Sequence, residues 1–119
     1  MYKTQKFPKT LKYLVTCPCC DTARFSIGVL EMLLWAEQFG EVFVTSFFRC
    51  HNYNKSVGGK IGSFHTKGRA VDFFIPQVSV RELYDKLNEK FPDSCGLGLY
   101  LKNGFVHFDD RLNKARWNG

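Results

Sequence analysis

The chain has 119 residues, 45% hydrophobic and 16% aromatic, which suits one compact domain with a real core and excludes a disordered chain. A formal net charge of +6 and a pI near 9.2 point to an anionic partner, without choosing among nucleic acid, an anionic membrane surface and bacterial wall polymers. No stretch is long and apolar enough to span a bilayer: the longest, about Ile27 to Ala36, is short and holds Glu31.

In chain order, residues 1–16 read as a basic, loosely structured arm interrupted by Pro8, and residues 17–119 as the folded domain. The segment Met1 to Tyr13 carries four lysines with no apolar run behind them of the kind a secretory signal needs. The expectation is therefore synthesis in the cytoplasm. Phe25 to Phe39 predicts a helix, with Ile27, Leu30, Leu33 and Leu34 at helical spacing and Gly40 as its stop. Glu41 to Phe47 is β-branched and aromatic and predicts a strand. His51 to Val57 predicts a short helix ended by Gly58-Gly59, and residues 58–68 a glycine-rich loop. Arg69 to Ile75 reads as a strand ended by Pro76. Val78 to Phe91 reads as a helix with Ser79 and Glu82 spaced as a capping box. Leu97 to Leu101 and Phe105 to Asp109 read as strands joined at Asn103-Gly104. The tail, Asp110 to Gly119, is basic and holds Trp117. This order predicts a single α+β domain, a mainly antiparallel sheet with helices packed on it.

Three residues stand out for where strand geometry puts them. In R-A-V-D-F-F-I, Val71, Phe73 and Ile75 share one face, and Asp72 shares the other with Ala70 and Phe74. In F-V-H-F-D, His107 shares a face with Phe105 and Asp109. His65 lies near the end of the glycine-rich loop. Two imidazoles and one carboxylate make a three-ligand set for zinc and leave a fourth position open, the pattern of catalytic rather than structural sites. Spacing alone does not select this set: H-x6-D is unspecific, and on spacing the better reading is a loop histidine, an edge-strand acid and a satisfied core histidine.

The surrounding motifs are more specific. The stretch S-F-F-R-C-H-N-Y-N-K-S-V-G-G-K-I-G-S-F-H-T-K-G-R-A-V-D-F, followed by G-F-V-H-F-D, resembles the zinc D-Ala-D-Ala carboxypeptidase family, in particular its small cell-wall and phage-type members. The resemblance covers roughly Thr45 to Asp109. It implies the hedgehog/D-Ala-D-Ala peptidase fold, zinc as cofactor, and His65, Asp72 and His107 as its ligands. It also implies that Arg49 of F-F-R-C engages the substrate beside the metal and that Ser63 of S-F-H lines the substrate site. A cation at Arg49 suits peptide hydrolysis, which builds negative charge on an oxygen or uses a terminal carboxylate as a handle.

Two positions depart from the family pattern. Several branches carry an acid or His as general base three positions before the last zinc His; here that position is Gly104. Asp109, on the same strand face as His107, is the substitute candidate, with orientation of a ligand as its alternative role. Phe47 also replaces the glycine of S-G-Y-R, which removes local backbone freedom.

Five cysteines and no signal segment argue against a full disulfide framework. Cys17 and Cys20 of C-P-C-C and Cys50 of F-R-C are candidates for a second, structural zinc, for one disulfide, or for free thiols.

The sequence with its resemblance thus implies a monomeric zinc peptidase that hydrolyses D-amino-acid-containing bonds of peptidoglycan peptides as a carboxypeptidase or endopeptidase. It would act on the cell wall or periplasm if released, as a phage or prophage lytic enzyme is. A catalytically weakened zinc module that recognises wall peptide is the alternative, motivated by Gly104. A nucleic-acid partner is not expected, since the basic residues are spread along the chain without a binding motif, and neither is membrane insertion.

Overall fold

In the computed structural model, residues 5–7, 16, 17, 19, 20 and 22–119 are described. Six strands form one mixed sheet in the order β1-β2-β3-β5-β4-β6: β1 Gln5–Phe7, β2 Val42–Ser46, β3 Ala70–Phe74, β4 Gly96–Tyr100, β5 Phe105–Asp109 and β6 Ala115–Asn118. Every pairing is antiparallel except that of β4 with β6. The helices are α1 Ile27–Ala36, α2 His51–Ser56 and α3 Val80–Lys90. The architecture is α+β, as the order of predicted elements implied. No helix among the described residues is long and apolar enough to cross a membrane.

Alternation along the strands divides the sheet into two unlike faces. One carries Val71, Phe73, Leu97, Leu99, Val106 and Phe108, each at most 2% exposed. Val29, Met32 and Leu33 of α1 and Leu83 and Leu87 of α3 join them in a single apolar cluster. Burial of this face drives the fold, since each such side chain contributes about 1.5–3 kcal/mol on leaving water. The opposite face carries Asp72, His107 and Asp109, and it is free for chemistry because the core lies behind it.

The capping box of α3 is present: the Ser79 hydroxyl accepts from the Glu82 amide at 3.0 Å, and the Glu82 carboxylate accepts from the Ser79 amide at 3.3 Å. The first helix differs from expectation. It begins at Ile27 under a Ser26 cap, and its last turn, Glu37–Phe39, tightens to a 3-10 helix before Gly40. Ile27 and Leu34 are 63% and 56% exposed, whereas Val29, Met32 and Ala36 are buried. The segment is apolar almost all round, so its periodicity did not single out the core face.

Both edges of the sheet come from segments that the sequence does not mark as strands. Part of the basic arm, Gln5–Phe7, pairs with β2, and the tail contributes β6 beside β4. Arg116 fastens β6 to the end of α3. It donates to the side chain of Asn88 at 2.8 Å and to the carbonyls of Cys95 and Ser94 at 2.7 and 3.1 Å, and also to the Phe91 carbonyl. Such charge-assisted bonds contribute about 1.5–3 kcal/mol each when a buried acceptor depends on them. Arg116→Lys keeps the charge but loses the fork, and chemical denaturation is expected to show a loss of about 2 kcal/mol; an unchanged midpoint would show that β6 is held by its ladder alone.

Candidate metal centre

His65 sits in a 3-10 turn, Phe64–Lys67, between a Ser63 cap and Gly68 in the left-handed region at φ 67°. The Ser63 hydroxyl accepts from the His65 amide at 3.2 Å. The imidazole Nδ1 lies 2.6 Å from the Phe47 carbonyl oxygen. A carbonyl can only accept, so Nδ1 carries a proton and Nε2 is the ring nitrogen left to bind a metal. That Nε2 faces Asp72 Oδ1 at 3.3 Å.

The sheet supplies the other two residues. Asp72 of β3 lies directly opposite His107 of β5. His107 Nδ1 is 2.9 Å from Asp72 Oδ1, and its Nε2 is 2.8 Å from Asp109 Oδ2. Candidate ligand atoms of His65, Asp72 and His107 all lie within 4.8 Å of one another. The donor set fits a divalent cation: two imidazoles and a buried carboxylate converge, and a positive charge among them satisfies the carboxylate. Without an ion, a proton on His107 answers the two buried carboxylates, and a metal would have to displace it. Burial disfavours charge on His107, but hydrogen bonds to Asp109 and Asp72 outweigh it and raise its pKa to about 9. Burial likewise opposes ionisation of Asp72, yet the two histidines hold it well below the usual carboxylate range.

Asp109 does not have the surroundings of a general base. It is fully buried, and it accepts from Arg111 Nε at 2.7 Å and Nη2 at 2.8 Å and from the Arg111 amide at 3.3 Å, besides its contact with His107. Burial raises its pKa, but the bonds from His107 and Arg111 prevail and lower it. A carboxylate so committed is a weak proton acceptor and a strong orienter of an imidazole. Gly104 has φ 78° and belongs to the turn before β5, a backbone that favours glycine.

The structure brings Arg49 and Ser63 to the same cleft, with Tyr100 and Trp117 on its wall. Arg49 is half-buried, and its Nε is buried without a hydrogen-bond partner among the described residues. Burial lowers its pKa, with the Asp72 charge opposing. Ser63 has a structural task as the cap of the His65 turn. Cys17, Cys20 and Cys50 also gather, and Cys19 joins them.

Four contributors escape the sequence reading. Arg111 grips Asp109, and D-x-R at the end of a strand was its signal. Trp117 packs on the His107 ring with centroids 5.1 Å apart and donates from Nε1 to the Tyr100 hydroxyl at 3.0 Å. Gly96 and Gly98 of β4 lie opposite Asp109 and His107. A methyl group at Gly96 would overlap the Asp109 carboxylate, and one at Gly98 would meet the Trp117 indole. Asp109→Asn and Gly96→Ala are each expected to weaken zinc binding about 10- to 100-fold in competition with a chromophoric chelator; wild-type affinity in both would remove Asp109 from the support of the site.

Residues 14–109 match the family model described as Peptidase M15. No curated protein and no solved structure matches the chain.

Proposed function

We propose that this chain, which belongs to the peptidase M15 family, is a zinc metallopeptidase that hydrolyses D-amino-acid-containing peptide bonds of bacterial peptidoglycan, as a carboxypeptidase or an endopeptidase. The observation that carries the proposal is the convergence of His65 Nε2, Asp72 and His107 Nδ1 in a cleft that is also lined by Arg49, whose Nε has no hydrogen-bond partner among the described residues. The family relation supports the hedgehog/D-Ala-D-Ala peptidase arrangement for the fold.

His65, Asp72 and His107 would hold the zinc, which supplies Lewis acidity toward a peptide carbonyl and toward water. The remaining residues position and bind. The Phe47 carbonyl fixes the His65 tautomer, and Asp109, gripped by Arg111, fixes that of His107. Arg49 offers a guanidinium to a substrate carboxylate or to a carbonyl oxygen gaining charge. Asp109 is read here as a positioning residue.

A catalytically weakened wall-peptide binder is the second reading. It is favoured by one observation: the acids lining the cleft among the described residues are Asp72 and Asp109, and both are committed to histidines.

Incubation of the zinc-loaded protein with purified peptidoglycan and with peptides ending in D-Ala-D-Ala tests both readings. New amine termini and released D-Ala, lost in His107→Ala with the fold retained by circular dichroism, are expected of the enzyme. Binding of the same peptides without cleavage by fully metallated wild type would sink the enzyme and leave the binder. Arg49→Ala is expected to lower kcat/KM about 10- to 100-fold, the cost of one charge-assisted contact; an unchanged value would remove Arg49 from substrate binding.

A further inference from the structure

A cluster of four thiols lies outside the lining of the cleft that holds the histidine site and takes no part in the proposed reaction. Cys17, Cys19 and Cys20 come from a short turn whose flanks are tied by a bridge between Thr16 and Ala23 and by the Cys17 amide donating to the Thr22 carbonyl at 2.8 Å. Cys50 comes from the other direction, as the cap of α2. Their sulfur atoms all lie within 4.8 Å of one another, with Cys17 to Cys19 at 3.5 Å and Cys19 to Cys50 at 3.3 Å.

We propose that Cys17, Cys19, Cys20 and Cys50 form a structural site for a thiophilic divalent cation, zinc above all, separate from the histidine site. A tetrahedral zinc with four sulfurs at about 2.3 Å sets neighbouring sulfurs roughly 3.8 Å apart, and the cluster is already near that spacing. Two backbone amides point at the sulfurs that need to carry negative charge: Cys50 N–H lies 3.4 Å from Cys17 Sγ, and Tyr53 N–H lies 3.4 Å from Cys50 Sγ. Amide donors of this kind orient ligands and stabilise their charged form. Each thiol releases its proton to solvent as it binds, and no electron is transferred. Four sulfurs converging on one point also use all the thiols present there, whereas a disulfide would use two and leave two.

The cation would have a definite mechanical role. Cys50 follows Arg49 directly, and the Arg49 amide donates to the His65 carbonyl at 3.0 Å. A bond from Cys50 to the turn at 17–20 therefore braces the segment that carries Arg49 and runs beside the His65 turn.

The full chain, purified under reducing conditions, tests this by metal analysis and cobalt substitution. Wild type is expected to hold about two zinc ions per chain. The variant His65→Ala/His107→Ala, which disables the other site, is expected to hold about one and, with cobalt, to show thiolate-to-metal charge-transfer absorption. Adding Cys19→Ser or Cys50→Ser to that variant should abolish the band. Wild type without any thiolate band would overturn the proposal directly, whatever the variants do. Fewer than the five cysteines reacting as thiols, after denaturation in chelator without reductant, would overturn it in favour of a disulfide. Because the cobalt band belongs to sulfur ligands alone, failure at the histidine site and failure here give different results.

Discussion

The site depends on one buried imidazole held between two buried carboxylates. His107 touches Asp72 through one ring nitrogen and Asp109 through the other. Such an arrangement would be costly if the charges were left alone, because each carboxylate has been taken out of water. Arg111 offsets one of them with a two-pronged contact to Asp109, and its guanidinium lies over the rings of Phe64 and Trp117. The other carboxylate, Asp72, is left facing His65 and His107, and this is where a cation belongs. The sheet register and the glycines of β4 can be understood from that requirement.

The register places Asp72 opposite His107, so two residues far apart in sequence meet without any loop having to bend. Gly96 and Gly98 then clear the neighbouring strand for the Asp109 carboxylate and the Trp117 indole. The apolar side chains between them, such as Phe108 and Leu97, point the other way into the core. The same alternation that builds the core thus delivers the polar residues to the opposite face.

Much of this was legible in the sequence. Alternation assigned Asp72, His107 and Asp109 to the non-core faces of their strands, and the ordered motif linked them to His65, Arg49 and Ser63. What sequence could not provide was the pairing of strands. The β3–β5 neighbourhood joins segments separated by a helix and another strand, and β6 reaches β4 in parallel from a tail of mixed composition. Without that pairing, Arg116, Trp117 and Arg111 read as scattered basic and aromatic residues. The role of Asp109 is open in the sequence for the same reason: its burial and its grip by Arg111 are properties of the assembled sheet, where β5 lies between β3 and β4, not of F-V-H-F-D.

The two histidines are oriented by different kinds of partner. His107 relies on the Asp109 side chain, itself dependent on Arg111, so a change at either position reaches the ring. His65 relies on the main-chain oxygen of Phe47. Every amino acid carries that oxygen, so the hydrogen bond survives any replacement that leaves the local path of the chain intact. This accounts for how a bulky phenylalanine can stand at this position: its backbone serves His65, and its side chain is left to fill the core. Tolerance to sequence drift is therefore unequal across the site, broad around His65 and narrow around His107.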